Sequence, residues 1–203
     1  MGADIARINN TLGKFFYYLS NHNAVLVSVS GGSDSDIIVH IIATYFRDFL
    51  HKIHFVNVNP GLEYQATKDH LKYLEERYDI RIERIRGKSV VWAVKHYGVP
   101  VLSKEHSGII DAYLRRVPWA VKRYNGDTKC KIMTPTFLRL LDEADRRQMR
   151  VSDMCSRISK KKPIYDYMKS NSIDLNITGE RRAEGGAKSH QSYKLLRRGK
   201  PRY

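Results

Sequence analysis

A short apolar run, Ala24-Val25-Leu26-Val27-Ser28-Val29, passes directly into Ser30-Gly31-Gly32-Ser33-Asp34-Ser35. A second apolar stretch follows at helical spacing, with Ile37, Ile38, Ile41, Ile42 and Tyr45 marking a buried helix to about Leu50. A run this short and this rich in branched side chains reads as a strand covered on both faces. The pattern then repeats. Ile53 to Val58 is a second strand, broken by Asn59-Pro60-Gly61. Residues 63–78 read as a helix with Leu71 and Leu74 inward, and the alternating Arg81-Ile82-Glu83-Arg84-Ile85 reads as a third strand. Strand and helix alternate from residue 24 to residue 85, which predicts an α/β fold: a parallel sheet with helices on both faces.

The flanks are read from the same periodicities. Ile5, Ile8, Leu12, Phe15, Phe16 and Leu19 predict an amphipathic helix over 3–21. Residues 89–97 and 106–116 are expected to be helical. So is Thr134 to Arg150, with Pro135 in its first turn, and so are residues 160–170. Ile173 to Thr178 reads as a late strand, and Gly179 to Ser189 as a polar loop. A chain of 203 residues fits one domain of ordinary size. The expected division is a single domain over 1–190 and a basic tail over 191–203, whose end is read as trimmed or truncated.

The net charge of +15 calls for a polyanionic partner, a phosphate-rich ligand, or both. Between Arg181 and Tyr203 there are eight Lys/Arg and one acid, Glu184; Arg146, Arg147, Arg150, Arg157 and Lys160-Lys161-Lys162 form a second basic region. A solvated tail and a binding surface account for the first equally well. No run of about 18 apolar residues offers a membrane span. With no export signal, and with only Cys130 and Cys155 present, the expected location is the cytoplasm with reduced thiols. No His/Cys cluster has zinc spacing, and no metal site is expected from the residues alone.

The most informative stretch is the turn at Ser30–Ser35. Two glycines let the backbone turn tightly and approach a ligand with no Cβ in the way. The amides opening the next helix then converge on one spot and, with the helix dipole, make it an anion site. Ser30, Ser33 and Ser35 add hydroxyls, and Asp34 and Ser35 are good N-cap types. The stretch lacks the GK[ST] of a Walker A loop and is not the dinucleotide GxGxxG pattern.

Ser30-Gly31-Gly32-Ser33-Asp34-Ser35 resembles the SGGxDS motif of PP-loop ATP pyrophosphatases, and within them the chain is similar to the phosphoadenosine phosphosulfate (PAPS) reductase family. Val58 to Thr67 resembles the family's V-D-T-G-L-E-F-P-E-T, matching at Gly61, Leu62, Glu63 and Thr67 and departing at Asn59 and Pro60. Cys155 to Pro163 resembles C-C-x-x-x-K-x-x-P, matching at Cys155, Lys160 and Pro163, with Ser156 in place of a second cysteine. Thr178 to Glu184 resembles G-x-R-x-x-E through Gly179, Arg181 and Glu184.

The resemblance implies a Rossmann-like, adenine nucleotide alpha hydrolase-like fold that binds PAPS or ATP. Ser30, Gly31, Gly32, Ser33, Asp34 and Ser35 would hold the phosphates or sulfate. Gly61 would admit the nucleotide, and Glu63 would order its loop or face a helix dipole. Arg181, oriented by Glu184, would clamp phosphate or sulfate. Lys160 would supply a cation for the leaving group or remain a solvated charge. Cys155 is read as a core thiol, ahead of a nucleophile or a remnant cluster ligand. With two cysteines, the chain cannot by itself supply a four-cysteine iron–sulfur cluster.

Three functions follow. One is PAPS reductase-like reduction or transfer of sulfur with a thiol donor, against which stands the cysteine-free end Lys194 to Tyr203. Another is an ATP pyrophosphatase, ordinarily dependent on Mg²⁺, that adenylates a nucleic acid or a small molecule. The third is an inactive nucleotide-binding module. A homo-oligomer is compatible with each.

Overall fold

The computed structural model describes residues 2–179. In chain order the elements are α1 (Gly2–Asn21), β1 (Val25–Ser28), α2 (Ser33–Tyr45), a 3₁₀ segment (Arg47–Lys52), β2 (Ile53–Asn59), α3 (Gln65–Tyr78), β3 (Ile82–Arg86), α4 (Val90–Tyr97), α5 (Lys104–Leu114), α6 (Pro118–Tyr124), α7 (Pro135–Arg146), α8 (Met154–Ser156), a π turn (Arg157–Lys161), α9 (Lys162–Ser170) and β4 (Leu175–Thr178). The chain divides into two compact units. Among the described residues, one takes in 2–59, Glu63–Ile85 and 163–179; the other takes in Pro60–Leu62 and Arg86–Lys162.

The first unit holds a four-stranded, all-parallel sheet of order β3-β2-β1-β4, flanked by helices. Both faces are covered, as the apolar run in β1 requires. Val25 lies opposite Ile53 and Leu175, and Val27 opposite Phe55 and Ile177. These rows face the larger core, which Leu19 of α1, Val39 and Ile42 of α2, and Leu71 and Leu74 of α3 complete. Leu26 and Val56 point the other way, against Ile164, Tyr167 and Met168 of α9. On that face the Tyr167 hydroxyl donates to Glu83 Oε1 at 2.7 Å and lies 3.0 Å from His54 Nδ1. Burial and the Glu83 carboxylate raise the Tyr167 hydroxyl well above the usual phenol range.

Several local expectations differ from the structure. The α1 stripe packs only from Leu12 onward, while Ile5, Ile8 and Phe16 are exposed. In α2 the inward residues are Ser35, Val39, Ile42 and Ala43; Ile37 and Tyr45 face outward. That helix ends at Tyr45 because Phe46 leaves helical geometry (φ −132°) and turns its ring into the core, 6.2 Å from Phe15 and 6.4 Å from Phe49.

The second unit is helical. Ile109, Ile110 and Tyr113 of α5, Ala120 of α6 and Phe137, Leu141 and Ala144 of α7 form its core. Thr134 caps α7 by accepting the Phe137 amide, with Pro135 in the first turn. The helix stops at Arg146, short of the expected Arg150, and Gln148 then takes a left-handed conformation (φ 50°). Pro163 cannot donate to the Ser159 carbonyl, and its ring would collide with that group in α geometry. The wider π turn Arg157–Lys161 precedes it, between α8 and α9.

Candidate functional site

The strand order places a switch point between β1 and β4. The chain steps from β1 outward through β2 to β3, and then returns to the other side of β1. In open parallel sheets ligands bind in the crevice outside the carboxyl ends of the strands at such a point. Ser30 to Ser35 leave β1 there and Gly179 leaves β4 there.

The loop is shaped by its glycines and by one buried serine. Gly31 has φ +76°, a conformation that side chains with a Cβ rarely adopt, and a Cβ there would sit 3.0 Å from Thr67 Cγ2 on α3. Gly32 is the N-cap of α2, and its carbonyl accepts the amides of Ser35 at 3.0 Å and Asp36 at 3.1 Å. Ser35 is buried and turned inward. Its hydroxyl donates to the Gly32 carbonyl at 2.8 Å and accepts from the Ser30 amide at 3.3 Å and the Ser30 hydroxyl at 3.2 Å. Ser35 thus holds the loop closed on itself, while Ser30 and Ser33 lie on the exposed side. Ser33, the first residue of α2, is exposed at the mouth of the loop.

Gly179 completes the cradle. A Cβ on it would lie 2.8 Å from the Asp34 carbonyl carbon and 2.9 Å from the Ser35 amide nitrogen. The end of β4 therefore packs backbone against backbone on the head of α2, which only glycine permits. The head of α2, the exposed Ser30 and Ser33 and a wall free of Cβ atoms make this loop the candidate site for a phosphate or sulfate group.

The flanking residues are braced from α3 and β2. Asp36 Oδ2 lies 2.6 Å from His70 Nε2. His70 follows Thr67 by three residues, so both project from one side of α3 toward the loop. That spacing was the available signal for His70, which motif reading passed over. Asn57, also passed over, is a polar residue in the middle of β2. It is buried, and its amide donates to the Val29 carbonyl at 3.0 Å and to Glu63 Oε1 at 3.3 Å; its Oδ1 has no partner among the described residues. Glu63 is thereby tied to the end of β1 through Asn57, just ahead of α3.

The remaining candidates belong to the helical unit or fall outside the described residues. Gly61 (φ +87°) belongs to the helical unit, where a Cβ on it would meet Ser89, and the neighbouring Pro60 carbonyl accepts the Val90 amide at 3.0 Å. Cys155 and Lys160 also belong to that unit. Cys155 is half-buried in α8, and its carbonyl accepts the Ser159 hydroxyl at 2.7 Å; Lys160 is exposed in the π turn. Arg181 and Glu184 lie outside the described residues. Among the described residues no group of three His, Cys, Asp or Glu could hold a metal ion, and no helix is long and apolar enough to cross a membrane.

A stretch of 76 residues is 37% identical to an uncharacterized protein of Methanocaldococcus jannaschii, covering 37% of this chain and 15% of that protein. The chain thus spans a small part of the length of the curated relative it matches. Residues 24–117, which include β1, the Ser30–Ser35 loop, β2 and α3, match the family model of the phosphoadenosine phosphosulfate reductase domain, a family of the PP-loop ATP pyrophosphatase superfamily.

Proposed function

We propose that this chain is a PAPS reductase-like enzyme that seats the phosphate and sulfate groups of a sulfonucleotide on the Ser30–Ser35 loop and reduces or transfers its sulfur. The observation that carries this reading is the backbone contact of Gly179 with Asp34 and Ser35. It leaves a Cβ-free anion cradle at the switch point of the sheet, where the nucleotides of such folds bind. The exposed Ser33 hydroxyl at the head of α2 donates to the anion, and the Ser30 hydroxyl joins it by giving up its bond to Ser35 Oγ. Arg181, two residues past Gly179 in the sequence, is proposed as the planar cationic clamp on the same anion, with Glu184 as its partner. A thiol donor accepts the sulfo group as its S–O bond breaks and adenosine 3′,5′-bisphosphate leaves; a second thiol then releases sulfite and leaves a disulfide.

Calorimetry with adenosine 3′,5′-bisphosphate, and separately with ATP and Mg²⁺, tests the assignment. Tighter binding of the bisphosphate is expected, because the sulfonucleotide reading needs a pocket that recognises a 3′-phosphate. Preference for ATP would move the assignment to an adenylating pyrophosphatase. Binding of neither would remove the phosphate site itself.

A further inference from the structure

The charge of this protein is segregated. The helical unit, Pro60–Leu62 with Arg86–Lys162, holds eighteen Lys/Arg against seven Asp/Glu, a net +11. The described residues of the sheet unit hold ten Lys/Arg against twelve Asp/Glu, a net −2. A small nucleotide bound at the Ser30–Ser35 loop gives no reason for a cationic field carried by the other unit. A polyanion does, because each phosphate neutralised by Lys or Arg releases condensed counterions.

One basic stretch of this unit is Arg115 to Lys131, with six basic residues and one acid, Asp127. Arg115 is paired with Asp111 at 2.5 Å and Arg116 with Asp145 at 2.6 Å, which ties both to the unit's own carboxylates. Lys122, Lys129 and Lys131 are exposed. On α6, residues 119, 122 and 123 are neighbours by i,i+3 and i,i+4 spacing, and Ala120 is the buried residue of the helix. The Trp119 ring is 45% exposed and carries the Arg123 guanidinium 4.9 Å from its centroid. The other tryptophan, Trp92, is already engaged: Lys88 lies 3.8 Å over its ring and the His96 ring stacks on it at 3.8 Å.

We propose that the helical unit binds a single-stranded polynucleotide, with Trp119 stacking a base and Lys122 and Arg123 meeting the flanking phosphates. An exposed aromatic face between cations is the arrangement that holds unpaired bases without reading their sequence. A membrane surface fits less well, since the exposed neighbours of Trp119 on α6 are a proline and a lysine rather than an apolar patch.

The test uses the full chain with Trp92→Phe, so that Trp119 is the only tryptophan, titrated with a 20-nucleotide oligo-uridine at several salt concentrations. Quenching of Trp119 emission is expected, with affinity falling linearly in log–log against salt. Trp119→Ala, in the native background and read by anisotropy of a labelled oligonucleotide, should weaken binding about tenfold or more. Lys122→Glu with Arg123→Glu should also lower the salt slope by about one to two. Both variants should bind adenosine bisphosphate as the parent does, so failure here is distinguishable from failure of the phosphate site. Because the eight Lys/Arg after Glu180 are a second cationic stretch of the sequence, the test is read from the Trp119 quench together with affinity. Lys122→Glu alone, at an exposed position, keeps the test open if Trp119→Ala melts early. Absence of quenching, unchanged affinity and slope in the charge-reversal variants, or tighter binding to duplex or to anionic phosphatidylserine vesicles would overturn the proposal.

Discussion

Gly179 and Asp34 touch through their backbones: a Cβ on Gly179 would fall 2.8 Å from the Asp34 carbonyl carbon and 2.9 Å from its oxygen. The contact joins the end of β4 to the head of α2, where the proposed anion cradle lies. Gly179→Ala must push these segments apart, and forced overpacking of this kind costs about 1–3 kcal/mol. Because the displaced atoms are the cradle itself, binding of adenosine bisphosphate should weaken about tenfold, the equivalent of roughly 1.4 kcal/mol. Calorimetry on Gly179→Ala checks this; unchanged affinity would mean that the loop does not hold the phosphate.

Gly31 meets two separate constraints that mutagenesis can divide. Its φ of +76° costs a residue with a Cβ about 1 kcal/mol, and the Cβ would also press on Thr67 Cγ2 at 3.0 Å. Gly31→Ala should destabilise the fold by about 1–2 kcal/mol. Thr67→Ser removes the methyl, so the double variant should recover the steric part and keep the conformational part. Urea unfolding of the four proteins in the cycle measures the division.

Ser35 is predicted to matter through the loop rather than through the ligand. Its hydroxyl bonds the Gly32 carbonyl, the Ser30 amide and the Ser30 hydroxyl. Ser35→Ala leaves these groups without their partner, at about 1–3 kcal/mol. Thermal unfolding without nucleotide should therefore drop for Ser35→Ala and stay near the parent value for Ser33→Ala, whose side chain is exposed. Both variants should bind nucleotide more weakly. An unshifted Ser35→Ala melt would contradict the bracing role.

The sheet was legible because its signals are local. The apolar run of β1, the break at Asn59-Pro60-Gly61 and the glycine turn each announce themselves within a few residues. The α6 helix was not legible: only Ala120 is fully buried across its seven residues, which is too little for an apolar period. The motif Ser30–Ser35 offered three hydroxyls without saying which way they point, and the fold turns one inward. Gly179 stood out in the sequence as a motif match, but its physical reason lies in a backbone contact with residues distant in the chain. Nor did the sequence distinguish the two units, because the grouping of Pro60–Leu62 with Arg86–Lys162 depends on long-range packing.

The last prediction concerns Glu75, which fastens α3 to β3. Its carboxylate accepts two bonds from the Arg84 guanidinium, at 2.8 and 2.6 Å, and one from the Ile82 amide at 2.8 Å. The Arg84 fork lowers the carboxyl below its ordinary value of 4.5, the Ile82 amide adds to this, and partial burial opposes them. A carboxylate lowered on folding contributes stability that is fully present above its unfolded value and is lost as pH falls through the folded one. The contribution should thus be intact at neutral pH and disappear as the solution is acidified below 4.5. The Arg84 side chain is 39% exposed, so solvent screening limits the effect to about 1 kcal/mol. Glu75→Gln cannot titrate. At neutral pH it should be less stable than the parent by about that amount, and the difference should shrink as pH falls below 4.5, the variant showing a shallower acid limb. Denaturant unfolding across pH 3–7 measures the difference; parallel curves for the two proteins would show that Glu75 does not carry this part of the acid sensitivity.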